Sequence, residues 1–331
     1  MQHKSFGLVL AGGGARGMAH VGALRALNHL GYYPRVVAGV SIGALVAATY
    51  SLNPNWYQDL REMDVSGFPR LPAFKTHGLK EKLKSFVLAG RDLKSLTFGW
   101  GIGAHTVDWG RSVIEDLTLG KDLQQGRVKT LITATDILSG ERIIKTKGHA
   151  VDAVYASSAI AGILPPFEDG KHLLVDGGYS DSSPVDIVRN AGVDHVITLD
   201  PGQRISDHPP QNGLDVFLRS IEITHKAFSR SRYEHADLVL TPHYDAQIGL
   251  FDFQHTGRCI AASTGRRRRC RSSGHGRGST RTVTSRHSWC STSWTCTSPT
   301  PSPLSFATAS PAPHPSHSQA TSSTETRSSS G

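Results

Sequence analysis

The chain has 331 residues, a formal net charge of +9 and a hydrophobic fraction of 38%. This length allows one large domain with a substantial core or two smaller domains, and no stretch is apolar over the roughly 20 residues that a membrane-spanning helix needs. The short apolar run at the amino terminus passes directly into glycines, unlike a signal peptide, so we expect a cytoplasmic protein.

The positive charge is concentrated at the carboxyl end. Residues 264–331 hold nine arginines, no lysine and a single acidic residue, Glu325, whereas the preceding residues hold 27 basic and 26 acidic side chains. A nearly neutral folded part argues against a nucleic-acid partner. The last segment is rich in Ser, Thr, Pro and Arg and is predicted to be disordered. Its composition leaves open a frameshifted gene end and a basic arm of an adaptor protein for RNA or membranes.

Two strand-turn-helix units are predicted near the amino end. The apolar strand over 5–10 runs into the loop AGGGARG, after which apolar residues recur at helical spacing from Met18 to Leu27, and Gly31 marks the helix end. A second strand, RVVAGV, is followed by Ser41 and by a helix of small residues, IGALVAATYSL. This order predicts an open parallel sheet with right-handed crossovers.

The later segments continue this α/β pattern. Helices are predicted over 55–63, 78–88 and 107–117, and strands over 128–137, 141–147 and 172–178. A short helix after Pro184, a strand over DHVITLDP, a helix over 214–235 and a last strand, DLVLTP, follow. We therefore predict one α/β domain over residues 1–263, followed by the disordered tail 264–331.

The stretch Gly39-Val40-Ser41-Ile42-Gly43 fits Gly-x-Ser-x-Gly at a strand-to-helix turn. Glycines two positions before and after the serine avoid clashes when a strand turns directly into a helix. The serine then lies at a helix N-terminus, where developing negative charge is stabilised. Close packing of the strand on the helix explains the same glycines, so the motif alone leaves both a nucleophile and a packing residue open.

The loop AGGGARG supplies consecutive backbone N–H groups between a strand and a helix. Phosphate loops and oxyanion holes both need such groups. Gly12-x-Gly14-x-x-Gly17 also satisfies the dinucleotide-binding fingerprint, which requires a carboxylate at the end of the second strand. No acidic residue occurs from Met1 to Gln58, and this disfavours a nucleotide-binding protein.

Asp176 is the candidate general base. It ends the apolar strand HLLVD and precedes two glycines, where burial raises the pKa of a carboxyl group and improves it as a proton acceptor. A turn-capping role is the alternative for an aspartate before glycine. An α/β-hydrolase would instead use a histidine after the serine, although its serine elbow follows more strands than the two that precede Ser41. The histidines available for such a triad are His195, His225 and His243.

Taken in this order, GGGARG, GVSIG and DGG resemble the patatin-like phospholipase family, and GGGARGMAHVGALRAL, ASSAIAGILPPF and LLVDGGYSDSSPVD resemble its bacterial members. The resemblance covers about residues 5–260. It implies a three-layer α/β sandwich with a mainly parallel central sheet flanked by helices. It also implies a serine esterase with a Ser41–Asp176 dyad, acting on phospholipid or lysophospholipid esters without a metal or cofactor.

The resemblance assigns further roles around this dyad. The oxyanion hole that it implies is formed by Gly12, Gly13, Gly14, Ala15 and Arg16. The remaining motif glycines are Gly17, Gly39, Gly43, Gly177 and Gly178. Arg16 either assists bound negative charge or ties loop carbonyls together, and His20 either faces the site or packs within its helix. The implied partners are the lipid ester and, peripherally, a membrane, with residues 54–103 forming either a lipid-facing lid or a surface insertion.

Overall fold

The fold is built around one twisted sheet. The computed structural model describes residues 4–67, 104–202, 213–244, 247–264 and 294–297, together with 205 and 209–210. These residues all belong to one unit, Met1–Pro301. The predicted helix over 78–88 and residues 68–103 of the predicted lid lie outside the described part of the chain.

Nine strands form the sheet within the described residues. They are β1 (Phe6–Leu10), β2 (Val36–Gly39), β3 (Lys129–Asp136), β4 (Arg142–Lys145), β5 (Phe167–Asp169), β6 (His172–Asp176), β7 (His195–Leu199), β8 (Leu238–Pro242) and β9 (Trp294–Thr297). Their order across the sheet is β5-β6-β3-β2-β1-β7-β8-β9, with β4 paired to β3 outside this path. The five neighbouring strands β3, β2, β1, β7 and β8 run parallel to one another. Antiparallel pairs lie on both sides of these five strands.

The helices cover both faces of this sheet. They are α1 (Ala19–His29), α2 (Ile42–Leu52), α3 (Trp56–Glu62), α4 (Ala104–Thr118), α5 (Ala150–Ser158), α6 (Val185–Arg189), α7 (Gly213–Tyr233) and α8 (Thr256–Ser263). Successive side chains of a strand point to opposite faces. Accordingly, Leu8 and Leu10 pack in the larger core with α1, α2, α5 and α8, whereas Val9 packs in a second core with α6. The predicted three-layer α/β sandwich with a mainly parallel central sheet is confirmed.

The strand register brings two candidate residues to the same level of the sheet. β2 runs parallel to β3, with Gly39 beside Ile132. β6 runs antiparallel to β3, with Asp176 beside Ala134, two residues further along β3. Ser41 also lies two residues beyond Gly39, so Ser41 and Asp176 approach each other across β3.

Most predicted elements agree with the observed ones within a few residues. The elements that the sequence analysis missed within the described residues are β5, α5, α8 and β9. The strand β5 has three residues, too few to show alternation. The helix α5, with the sequence AVDAVYASS, is rich in small residues and is buried almost throughout. Such a helix lacks the one-sided apolar stripe that periodicity detects.

One of these missed strands corrects the prediction for the tail. Within the segment 264–331, predicted to be disordered, residues 294–297 form β9 and pair with β8. The four residues are Trp, Thr, Cys and Thr, which suit a strand, and β8 otherwise leaves an open edge. Disorder is therefore wrong for these four residues, and for 265–293 and 298–331 it stays a prediction.

Candidate active site

Ser41 occupies a strained turn between β2 and α2. Its backbone has φ 56° and ψ −124°, and the residue is the N-cap of α2. A positive φ is uncommon for a residue with a side chain and occurs where the surrounding structure enforces it, often at functional sites. Ser41 lines the cavity that opens at this turn, the position that a nucleophile has in a strand-helix elbow.

The two glycines around Ser41 are required by backbone contacts. A Cβ atom at Gly43 would lie 2.1 Å from the Leu10 carbonyl oxygen, and one at Gly39 would lie 2.3 Å from the Gly43 carbonyl oxygen. Both neighbours are backbone atoms and cannot rotate away. The steric reason predicted for these glycines, a clash within the turn, therefore holds at Gly39, whereas Gly43 is required by the close approach of β1. The role of Ser41 depends on what lies beside it.

Asp176 lies beside Ser41 and is buried, with 5% of its surface exposed. Its carboxylate accepts a hydrogen bond from the Gly178 N–H at 2.8 Å. Burial raises the pKa of this carboxyl group from 3.8 to about 6, against the opposing effects of the Gly178 N–H and of the Ser41 side chain. The Gly178 contact is also the predicted turn cap, so one carboxylate both caps the turn and interacts with the serine.

The end of α5 holds both residues in place, a contribution that the sequence analysis missed. The buried Ser157 hydroxyl accepts the Ser41 N–H at 2.9 Å and donates to the Thr133 carbonyl oxygen at 2.6 Å. One residue beyond the helix, the Ala159 carbonyl accepts the Asp176 N–H at 2.9 Å. The segment ASSA therefore orients the backbone of Ser41 and of Asp176, and only the short polar residues within ASSAIAG pointed to such a function.

The glycine-rich loop borders Ser41 from the β1 side. The Gly12 N–H donates to the Ser182 carbonyl at 3.1 Å and the Ala15 N–H to the Leu250 carbonyl at 2.8 Å. Neither the Gly13 N–H nor the Gly14 N–H donates to another described residue. Gly14 has φ +56°, where glycine is favoured. The N–H groups of Gly12 and Ala15 are therefore occupied within the fold, whereas those of Gly13 and Gly14 remain available to a ligand as far as the described residues are concerned.

A cavity of about 610 Å³ opens onto this site. Ser41, Asp176 and the loop glycines line one part of it. Most of the remaining wall is aliphatic or aromatic, and its apolar residues include Leu45, Ile114, Val154, Ile163, Leu164 and Phe251. A polar corner on an otherwise apolar cavity suits a ligand with one reactive polar group and a hydrocarbon portion.

The sequence model of the patatin-like phospholipase family matches residues 8–189, more than half of the chain. The chain belongs to this family of lipid ester hydrolases. Lysophospholipase NTE1 of Pyricularia oryzae is 34% identical over 212 residues, covering 63% of this chain and 13% of that protein. Neuropathy target esterase sws of Drosophila melanogaster is 33% identical over 208 residues, covering 61% of this chain and 13% of that protein. The chain thus spans about one eighth of the length of these relatives.

The chain also aligns with parts of solved structures. Human GIVD cytosolic phospholipase A2 aligns with a TM-score of 0.37 and 13% identity, covering 76% of this chain and 50% of that chain. VipD from Legionella pneumophila aligns with a TM-score of 0.32 and 14% identity, covering 71% of this chain and 54% of that chain.

Arg16 in this patatin-like site has a partner within the protein. It is 5% exposed and its guanidinium pairs with Glu222 of α7 at 2.6 Å. Its Nε also contacts the Gly13 carbonyl oxygen at 3.5 Å, while the Tyr244 hydroxyl donates to the Arg16 carbonyl. Of the two predicted roles, these contacts favour the one in which Arg16 ties the loop together.

His20 packs inside the fold. Its Nε2 lies 2.9 Å from the Ala11 carbonyl oxygen, and burial lowers the pKa of the imidazole to about 4. The ring is therefore neutral near pH 7 and donates its proton to that carbonyl. This contact corresponds to the packing role among the two that the sequence left open.

The three histidines of the alternative triad are separated by the fold. His195 begins β7, level with Phe6 at the start of β1. It therefore lies at the amino-terminal end of these strands, whereas Ser41 lies beyond the carboxyl-terminal end of β2. His243 follows β8 and is exposed. Only His225 lines the cavity, where burial lowers its pKa and its Nε2 has no hydrogen-bond partner among the described residues. Asp176 interacts with the Ser41 side chain, and both line the cavity.

Proposed function

We propose that the chain is a serine lipid acyl hydrolase, with the activity residing in residues 1–263, in which Ser41 is the nucleophile and Asp176 the general base. The observation that carries this proposal is that Ser41, at the strained strand-helix turn, and the buried carboxylate of Asp176 line the same cavity and interact, with the pKa of that carboxyl group raised to about 6. A base near that pKa is still ionised at neutral pH and accepts a proton better than an ordinary aspartate. Membership of the patatin-like phospholipase family supports the same reaction class.

In the first half of the reaction, the Ser41 oxygen attacks the ester carbonyl carbon while Asp176 takes the hydroxyl proton. The carbonyl oxygen becomes an oxyanion, and the Gly13 and Gly14 N–H groups are the donors proposed to stabilise it. Removal of one such donor in other enzymes costs about 3 kcal/mol of transition-state stabilisation. The tetrahedral intermediate then collapses, and protonated Asp176 returns the proton to the leaving alcohol.

In the second half, water replaces the alcohol. Asp176, ionised again, removes a proton from water as its oxygen attacks the acyl carbon, and the released Ser41 oxygen regains that proton. The products are a free fatty acid and the alcohol, and the two side chains return to their starting protonation states. No step requires a metal ion or cofactor.

The cavity supports a substrate with a hydrocarbon chain. Its apolar wall and volume of about 610 Å³ suit an acyl chain whose ester group reaches the polar corner. Relatives named lysophospholipase contain a matching segment. We therefore propose a phospholipid or lysophospholipid ester as the substrate.

The test is hydrolysis of a lysophospholipid and of a water-soluble short-chain ester by purified wild type, Ser41→Ala and Asp176→Asn. The proposal expects both variants to lose activity on both substrates by at least about a thousand-fold. A matched control is Asp136→Asn, since Asp136 also ends a strand of this sheet but bonds to His172 instead. The dyad would be contradicted if Asp176→Asn retained activity, or if His225→Asn lost activity while Asp176→Asn did not.

A further inference from the structure

Helix α7 presents an apolar face to solvent. Polar residues are expected on the side of a helix that faces away from the core. On α7, however, four large apolar side chains are 45–58% exposed. They are Val216, Phe217, Ile223 and Phe228. At 100° per residue these four lie within an arc of about 140°. We call this set the α7 outer face.

The opposite side of the same helix belongs to the active-site cavity. Glu222 pairs with Arg16 of the glycine-rich loop, and Ser229 shares a hydrogen bond with Ser182 at 2.6 Å. Arg230 lines the cavity and is also exposed. α7 therefore forms part of the cavity wall, and Arg230 lies on the helix between that wall and the α7 outer face.

The charges on α7 are mostly basic. The helix carries the four cations Arg219, Lys226, Arg230 and Arg232, against the two acids Asp215 and Glu222. Glu222 is turned inward to Arg16, and Arg232 pairs with the buried Asp181. The cations beside the α7 outer face are therefore Arg219, Lys226 and Arg230. An apolar stripe with basic residues beside it is the pattern of helices that lie in the interface of an anionic membrane.

We propose that the α7 outer face docks onto the surface of an anionic phospholipid bilayer and sets the cavity mouth against the lipid. This inference rests on the proposed function, because it names the place from which a lipid substrate enters. No helix within the described residues is long and apolar enough to span a bilayer, so contact through this helix would be lateral. Phe217 and Phe228 would enter the headgroup region while Arg230 meets lipid phosphates.

The geometry offers an internal comparison for this proposal. Ile137 and Leu138, at the β3–β4 turn, are also large, apolar and exposed, at 53% and 69%. They do not line the cavity. If any exposed apolar pair contributed to membrane binding, replacing Ile137 and Leu138 would weaken binding as much as replacing residues of α7. If α7 is the docking surface, replacing Ile137 and Leu138 would leave binding unchanged.

The experiment measures co-flotation with vesicles of phosphatidylcholine alone and of phosphatidylcholine mixed with phosphatidylglycerol. Wild type is expected to bind the anionic vesicles more strongly. Phe217→Ser/Phe228→Ser should weaken that binding by a factor on the order of ten or more. The reason is that the variant lacks the two aromatic rings that would be buried in the membrane. The matched variant Ile137→Ser/Leu138→Ser should bind like wild type, and Arg230→Glu should lose the preference for anionic vesicles.

Hydrolysis of a water-soluble short-chain ester separates this inference from the proposed function. Phe217→Ser/Phe228→Ser should keep the wild-type rate on that ester while losing hydrolysis of vesicle lipid. Equal binding of the two double variants, or absence of wild-type binding to both vesicles, would overturn the docking surface even if the ester is cleaved. So would light scattering that shows wild type as a dimer and Phe217→Ser/Phe228→Ser as a monomer, because the face would then cover a second copy.

Discussion

Replacing the buried base should make the protein more stable as it becomes inactive. Burial raises the pKa of Asp176 from 3.8 to about 6, so the folded protein binds this proton more tightly than the unfolded chain does. The ionised carboxylate therefore opposes folding at pH 7, by about 3 kcal/mol from the size of the shift. Asp176→Asn removes this cost and retains an oxygen that can accept the Gly178 N–H.

The sign of the effect depends on pH. The cost of the ionised carboxylate is fully present above pH 6, declines as the pH falls through about 6, and is absent below about 3.8, where the carboxyl group is protonated in both states. Urea unfolding of wild type and Asp176→Asn should therefore show the variant more stable by about 1–3 kcal/mol at neutral pH, with the difference shrinking towards pH 4. A variant that is equally stable or less stable at neutral pH would refute the argument that Asp176 is ionised at an energetic cost.

Asp136→Asn provides the opposite case. The Asp136 carboxylate accepts hydrogen bonds from the His172 ring and from the Leu173 N–H, and these bonds hold the pKa of the carboxyl group well below its usual range. Ionised Asp136 therefore stabilises the fold at neutral pH. Its replacement should lower stability and leave kcat on a soluble ester close to wild type. The two strand-end aspartates should therefore change stability in opposite directions, and only Asp176→Asn should lose activity.

The remaining predictions concern the residues that support the dyad. The value of kcat/KM should fall about ten-fold per pH unit below an apparent pKa of about 6 as Asp176 is protonated, and a flat profile would contradict its role as base. Ser157→Ala removes the acceptor of the Ser41 N–H and should lower kcat about ten-fold with little change in KM, whereas Ser157→Thr should restore part of the rate. Between pH 6.5 and about 4, the unfolded chain binds a proton at His20 that the folded protein does not bind, so wild type should lose up to about 3 kcal/mol of stability over this range. His20→Gln should not show this loss. Gly43→Ala should destabilise the fold by about 2 kcal/mol or more because its Cβ meets the Leu10 carbonyl, while Gly257→Ala, with open space around it, should leave thermal stability unchanged or raised.

The site residues that could be predicted from the sequence are those whose role follows from the residues next to them in the chain. Gly39 and Gly43 mark the sharp turn at Ser41. The constraint on Gly39 acts within five residues, because its Cβ would meet the Gly43 carbonyl, whereas Gly43 is constrained by the Leu10 carbonyl of the neighbouring strand β1. Asp176 is visible because an ionisable residue interrupts an apolar strand before two glycines. Their meeting depends on the register of two strands against β3, which local pattern does not contain.

The contributions that escaped prediction act across long sequence separations. Ser157 bonds to Ser41 over 116 residues, and Glu222 pairs with Arg16 over 206 residues. The Leu250 carbonyl that occupies the Ala15 N–H belongs to a loop with no motif of its own. Hydrogen-bond partners of this kind are set by tertiary packing, so the sequence indicates the loop as a donor site without telling which N–H groups remain available.

The most direct test of the Ser41–Asp176 dyad is the position of a covalent adduct. Wild type and Asp176→Asn would be treated with a lipid-like fluorophosphonate, digested and analysed by peptide mass spectrometry. The dyad predicts a single adduct on Ser41 in wild type and a rate of labelling lower by at least about a hundred-fold in Asp176→Asn. An adduct on another serine, or undiminished labelling of Ser41 in Asp176→Asn, would contradict it.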